Sequence, residues 1–203
     1  VFGVTSALGN PARTAKLEQM LANLALEHAV PYIGIGNEID NETPYVEVAA
    51  LVSHLADVIH DLHTGTLVFT VFQYDHLLGL PNPADYVASV PSVDFVGFTS
   101  YRFLRFEAVA DVPADYFAPI DRWVRTPCAF TELGWPSRRA FPGYPTLHGS
   151  ESEQVALIHR FWTQLVVGRP VAFASWSALH DLADWREGDP IVEVGHVFES
   201  TGL

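Results

Sequence analysis

Pro127-Cys128-Ala129-Phe130-Thr131-Glu132-Leu133-Gly134-Trp135-Pro136 decides the fold: a short apolar run, PCAFT, leads straight into a carboxylate and then a Gly-Trp-Pro break. A run this short, bounded by Pro and Gly, reads as a strand covered on both faces rather than as a helix. Residues 31–36 (PYIGIG) repeat the pattern, with Asn37-Glu38 immediately after. Each stretch therefore reads as a buried strand that delivers an acid near its C-terminal end.

Around these two, four more strands are expected: residues 1–6, 66–73 (TLVFTVFQ), 93–99 (VDFVGFT) and 170–176 (PVAFASW). Helical patterns lie between them. Asn10 is a cap with Pro11 at the first helical position, followed by Leu17, Met20, Leu21 and Leu24 at helical spacing. Val48, Leu51, Val52, Leu55, Ile59 and Leu62 form a second stripe. Only a short helix fits the Pro- and Asn-rich residues 77–92, and a modest one is expected over 114–124. After a long loop, 134–149, Ser150 and Glu153 read as a capping box. Val155, Ile158, Phe161, Trp162, Leu165 and Val166 then form an apolar face that Gly168 ends. Residues 190–198 are expected to add irregular β structure.

Six strands alternating with helices give an α/β chain built on a parallel sheet. Pattern alone admits either a doubly wound open sheet or a barrel. The acids favour the barrel, where every strand's C-terminal end opens on the face that carries the chemistry. The expectation is one domain, 1–203: a partial (β/α)8 TIM barrel holding about six strands, from the third to the eighth. A complete barrel has eight in roughly 250 residues. The chain is thus expected to lack the first two strands and the last helix, and to be truncated at both ends. No charged-then-apolar leader follows Val1.

Bulk composition narrows the function. Hydrophobic residues are 49% and charged residues 17% of the 203, enough apolar material for a core. A formal charge of −13, with 11 basic against 24 acidic side chains, argues against nucleic acid and anionic membrane surfaces as partners. No apolar stretch approaches the length of a membrane span. The lone Cys128 rules out an internal disulfide and reads as a small core residue, which leaves the compartment open, as it leaves the oligomeric state. Five Trp and 12% aromatic residues suit a buried core, and equally sites that stack on sugar rings or other flat apolar faces.

Two strand-end carboxyls, Glu38 and Glu132, are the arrangement that glycosidic bond cleavage needs: one protonates the leaving oxygen, the other attacks the anomeric carbon or activates water. Taken singly, each has an ordinary reading as a helix-start or loop acid. At this point the motifs resemble a known group. "GNE" after one strand and "TELGWPS" after a later one are similar to the clan A glycoside hydrolases, especially the endo-β-1,3-glucanases, while "VDFVGFTSY" looks more like the endo-β-1,4-galactanases. The resemblance implies a retaining β-glycosidase with Glu38 as acid/base and Glu132 as nucleophile. It further implies Asn37 on the sugar 2-hydroxyl, Tyr101 orienting the nucleophile, and Trp176 as an aromatic platform. Gln73, Tyr74, Trp135, His180 and Asp181 are weaker candidates for sugar contact. The implied partner is a carbohydrate, with no metal or organic cofactor needed.

Three rival readings remain open: a non-catalytic sugar-binding barrel, an inactive fragment, and a metal-dependent hydrolase using His76 and His180. No H-E-x-x-H, paired Cys, Gly-rich phosphate loop or G-x-S-x-G elbow around Ser137 is present. His54, His60, Asp61 and His63 read as the solvated face of one helix, and Arg138-Arg139 as an isolated basic pair in a loop.

Overall fold

The computed structural model describes residues 4–137 and 146–176. The chain divides into two compact units, one from Val1–Thr99 with Arg122–Ala129, the other from Ser100–Asp121 with Phe130–Leu203. Five strands are described: β1 (Tyr32–Gly34), β2 (Leu67–Gln73), β3 (Phe95–Ser100), β4 (Cys128–Leu133) and β5 (Val171–Trp176). In the first unit β1, β2, β3 and the start of β4 are neighbours in chain order. Both β1–β2 and β2–β3 are parallel, with Ile33 opposite Val68 and Val71 opposite Gly97. In the second unit the rest of β4 lies beside β5. Strands adjacent in chain order, with helices between them, are βα units, as the alternation of short and long apolar runs requires.

Helix α1 (Pro11–Glu27) begins as its sequence dictates. The Asn10 side chain accepts the Arg13 N–H, and Pro11 opens the first turn. Its buried contacts are Leu21 and Ala25, while Met20 is left exposed. Helix α2 (Tyr45–His60) buries Val48, Val52, Leu55 and Ile59 almost completely. Each such side chain is worth roughly 1.5–3 kcal/mol relative to exposure. Its histidines face outward: His54 meets Glu18, and His60 meets Asp94. Asp94 also accepts the Val68 N–H, which ties the start of β3 to β2. The short helix α3 (Tyr74–Leu77) follows β2 directly, and the short helix α4 (Pro83–Ala88) lies in the Pro-rich stretch.

Helices α5 (Ile120–Trp123) and α6 (Glu151–Arg160) follow, and a π-turn at Phe161–Leu165 continues α6. Gly168, at φ +76°, ends that segment as expected. The buried side of this segment matches the expected face at Phe161, Leu165 and Val166 but not at Val155 and Trp162. Val155 and Trp162 are exposed, and Gln154, Leu157, Phe161 and Leu165 face inward. The Gln154 side-chain amide donates to the Trp135 carbonyl at 2.8 Å, which gives this polar residue a partner on the buried side.

Four further expectations are corrected. Residues 5–7 form a 3-10 turn rather than part of a strand, with Ala7 N–H donating to the Val4 carbonyl and Thr14 Oγ1 donating to the Ala7 carbonyl. The described strands therefore number five. The helix expected over 114–124 shrinks to the four residues of α5, because turns occupy the preceding segment. Only half of the capping box forms: Ser150 Oγ accepts the Glu153 N–H, but the Glu153 carboxylate accepts the Val109 N–H instead of turning back. Finally β4 runs on through Leu133, so Glu132 is a strand residue rather than the first residue beyond one. The expected strand residues 1–3, the pair Arg138-Arg139, and the tail at 190–198 lie outside the described residues, as do His180 and Asp181.

Cys128 is buried in β4. Among the described residues no helix is long and apolar enough to cross a membrane.

The bend after β1 depends on Gly36, at φ +78°. A Cβ there would sit 2.4 Å from Ile39 Cγ2. Gly65 has the same φ with nothing within 4 Å. Replacing Gly36 with Ala should cost about 2–4 kcal/mol in urea unfolding, and Gly65→Ala only about 1–2 kcal/mol, since it adds left-handed strain without overpacking. Equal costs would remove the close approach to Ile39 as the reason for Gly36.

Candidate active-site carboxyls

In the first unit the chain leaves β1, bends at Gly36 and reaches Glu38 in the left-handed conformation, φ 49° and ψ 46°. A non-glycine residue there carries strain of roughly 1–2 kcal/mol, so the surroundings must hold it in place. They do so at both carboxylate oxygens. Thr99 Oγ1, buried near the end of β3, donates to Glu38 Oε1 at 2.6 Å. Asn41 Nδ2 lies 3.4 Å from Glu38 Oε2 and donates at 3.0 Å to Gln73 Oε1, at the end of β2. The 3-10 turn Ile39–Asn41 brings Asn41 back beneath Glu38, with the Asn41 N–H donating to the Glu38 carbonyl. Glu38 is half-buried and Asn37 is exposed.

Asp40 anchors this turn. Its side chain is fully buried and uses both oxygens: Oδ1 accepts the Gln73 backbone N–H at 2.8 Å, and Oδ2 meets His76 Nδ1 at 2.7 Å. Burial pushes the Asp40 carboxyl above its ordinary value of 3.8, while the hydrogen bonds from Gln73 and His76 pull it back.

In the second unit Glu132 is partly buried, and its Oε2 accepts the Tyr101 hydroxyl at 2.5 Å. Tyr101 follows β3 directly, is 7% exposed, and packs edge-on against Phe103. Trp176, the last residue of β5, is half-buried and lines a cavity of about 160 Å³ with Arg102, Leu133, Leu157, Phe161 and Trp162. Arg102 is fully buried, with its guanidinium 5.4 Å from the centre of the Phe117 ring and 6.0 Å from that of Phe161.

The structure therefore gathers Glu38 and Gln73 in the first unit, and Glu132 and Tyr101 in the second. It does not favour Tyr74 or Trp135 as sugar contacts. Tyr74 is fully buried, packed on Phe98 and Trp123. Trp135 is fully buried as well, packed on Phe103, with its ring N–H donated to the His148 carbonyl. Both rings are core residues with no face left for a sugar.

Thr99, Asn41 and Asp40 belong to the first-unit cluster although nothing in the motifs marks them. His76 joins them as the partner of Asp40. Among the described residues no group of three or more His, Cys, Asp or Glu side chains could hold a metal ion.

The fold has relatives among solved structures. A GH2 β-galacturonidase from Eisenbergiella tayi superposes with a TM-score of 0.62 and 16% identity, over 98% of this chain and 35% of that one. The GH53 catalytic domain of Ignisphaera aggregans gives 0.63 and 15%, over 97% and 62%. The β-glucuronidase of Parabacteroides merdae gives 0.62 and 18%, over 97% and 26%. The chain thus spans from about a quarter to under two thirds of the length of these neighbours. At such identities the likeness shows the fold. No protein-family model and no curated protein sequence matches the chain.

The raised Asp40 carboxyl has a definite consequence for stability. The folded state binds this proton more tightly than the unfolded chain, so Asp40 subtracts stability as pH rises from 3.8 through its folded value, and the loss then levels off. In urea unfolding between about pH 4 and about pH 7, the wild type should lose stability relative to Asp40→Asn as pH rises. The opposite slope would mean that the His76 and Gln73 contacts outweigh burial.

Proposed function

We propose that this chain is part of a glycoside hydrolase that cleaves β-glycosidic bonds in a polysaccharide or oligosaccharide by retaining double displacement. The observation that carries the reading is the pair of carboxyls at strand ends, each gripped by a hydroxyl: Glu38 by Thr99, and Glu132 by Tyr101. The fold neighbours that are glycosidases by name support the same reading.

Glu132 is the nucleophile. Its carboxylate oxygen forms a bond to the anomeric carbon as the bond to the departing sugar oxygen breaks, and Glu38 gives that oxygen its proton. In the second step Glu38 takes a proton from water, the water oxygen bonds to the anomeric carbon, and Glu132 leaves as carboxylate. Two inversions give net retention, which requires the two carboxyls about 5–5.5 Å apart. The Tyr101 hydroxyl holds one Glu132 oxygen and so orients the carboxylate for attack. Asn37, exposed on the turn beside Glu38, is assigned to the sugar 2-hydroxyl, Gln73 to a neighbouring hydroxyl, and Trp176 to the apolar face of the ring. Neither step needs a metal or organic cofactor.

The test uses the full-length protein on a panel of aryl β-glycosides that includes glucosides, galactosides, glucuronides and galacturonides. Glu38→Ala should lower kcat by about 10²–10⁴-fold, the usual contribution of a positioned acid/base, and Glu132→Gly by at least as much. Azide should restore turnover to both, yielding the α-glycosyl azide from Glu132→Gly and the β-glycosyl azide from Glu38→Ala. Inversion in the first product released by the wild type would overturn retention. Unaltered turnover in both variants would overturn the residue assignment, and sugar binding without turnover in the wild type would favour a non-catalytic binding protein.

A further inference from the structure

A buried carboxylate is a poor choice for stability alone. Desolvating it costs several kcal/mol, and apolar replacements of buried charged pairs are often neutral or stabilising. Asp40 is nonetheless buried two residues from Glu38, with each of its oxygens in use. One oxygen fixes the Gln73 backbone and the other fixes His76, so the turn after β1 is fastened to the end of β2 and the start of α3 at once. The fastening continues through side chains: Gln73 Oε1 holds Asn41 Nδ2, and the same nitrogen faces Glu38 Oε2.

Glu38 itself is held in a left-handed conformation that favours relaxation. Its contact with Thr99 is short, at 2.6 Å, and would hold one oxygen even if the turn moved. The contact with Asn41 is long, at 3.4 Å, so a small shift of the turn breaks it. The Asn41 contact to the second oxygen is therefore sensitive to where Asn41 sits, and Gln73 and Asp40 fix that position.

We infer that Asp40 and His76 are a positioning pair for the Glu38 carboxyl, holding the 3-10 turn Ile39–Asn41 against the end of β2 so that Asn41 and Gln73 aim Glu38 at the leaving-group oxygen. The inference rests on the reading of Glu38 as acid/base. A carboxylate accepts, so the His76 ring proton sits on Nδ1, and the half-exposed ring keeps the Asp40 oxygen from water. His76 and Asp40 touch no sugar in this account. They act through Asn41 and Gln73.

Leaving-group chemistry separates positioning from general destabilisation. A glycoside with a poor leaving group needs the proton from Glu38, whereas a 2,4-dinitrophenyl glycoside departs without it. In the full-length protein, Asp40→Ala and His76→Ala should lower kcat on an unactivated β-linked disaccharide roughly 10- to 100-fold, within the range a general acid supplies. The first, glycosylation step on the dinitrophenyl glycoside, followed by its burst of released dinitrophenol, should change less than about threefold by the same reasoning. His76→Gln, whose amide can donate to Asp40, should recover most of the loss. Should Asp40→Ala fail to fold, Asp40→Asn and His76→Ala carry the comparison.

Glu38→Gln is the control. If it shows the leaving-group split and the Asp40 and His76 variants lose equally on both substrates, or lose nothing, the positioning pair is wrong and Glu38 stands. If Glu38→Gln itself shows no split, the acid/base reading fails, and the positioning inference fails with it.

Discussion

The Asp40 carboxylate is the constraint on which the first unit's site depends. The turn after β1 contains two left-handed positions, Gly36 and Glu38, separated by a single residue. Such a turn does not persist on local preference. Gly36 accepts its conformation without strain and lets Ile39 approach closely, but Glu38 has a Cβ and does not. Stability has to come from outside the turn, and Asp40 brings it from β2. Two hydrogen bonds to one buried carboxylate, each with an ionised acceptor, can offset a strain of about 1–2 kcal/mol. Burial works in the other direction and raises the carboxyl's pKa. Asp40 is thus a compromise between desolvation and geometry, and geometry is what the position beside Glu38 rewards.

The second unit solves a different problem. Glu132 is a residue of β4, so its backbone is already fixed by the strand and needs no strained turn. Its side chain accepts a short hydrogen bond from the Tyr101 hydroxyl, and Tyr101 packs edge-on against Phe103. Elsewhere in the unit, side chains tie down backbone carbonyls. Gln154 seizes the Trp135 carbonyl, and the Arg160 guanidinium donates to the carbonyls of Val109 and Val112. A carboxylate held by a strand suits the nucleophile proposed for Glu132, which must keep one direction. A carboxyl on a turn suits the proton exchange proposed for Glu38.

Five of the six expected strands were legible because their signals are local. An apolar run with a polar or Gly/Pro boundary marked those five, with Glu38 and Glu132 near two such boundaries, but it failed for residues 1–6, where 5–7 turn instead. What was not legible depends on partners far away in the chain. The inward turn of Gln154 on α6 answers a carbonyl nineteen residues earlier, at Trp135, so apolar periodicity alone picks Val155 and Trp162 for burial. Glu153 likewise leaves its capping role for the Val109 N–H, 44 residues before it. Tyr74 and Trp135 sit near strand ends, which suggested sugar contact, yet neighbouring rings on other elements enclose them.

The cluster around Glu38 shows why a site's supports are harder to read than its acids. Thr99 lies 61 residues from Glu38, and His76 lies 36 from Asp40. No spacing rule connects them, because parallel strands bring together residues separated by an entire helix. The polar run Asn37-Glu38-Ile39-Asp40-Asn41 did carry a hint. It interposes four polar side chains between a buried strand and the helix that follows, in a connection where only one chemical group is needed. The excess is intelligible once each side chain has its own part to play. Glu38 is the proposed proton carrier, Asn41 faces its second oxygen, and Asp40 fastens the turn. A surplus of polar residues beside a strand-end acid therefore points to a supported carboxyl rather than to a solvated loop, and burial of the support distinguishes the two.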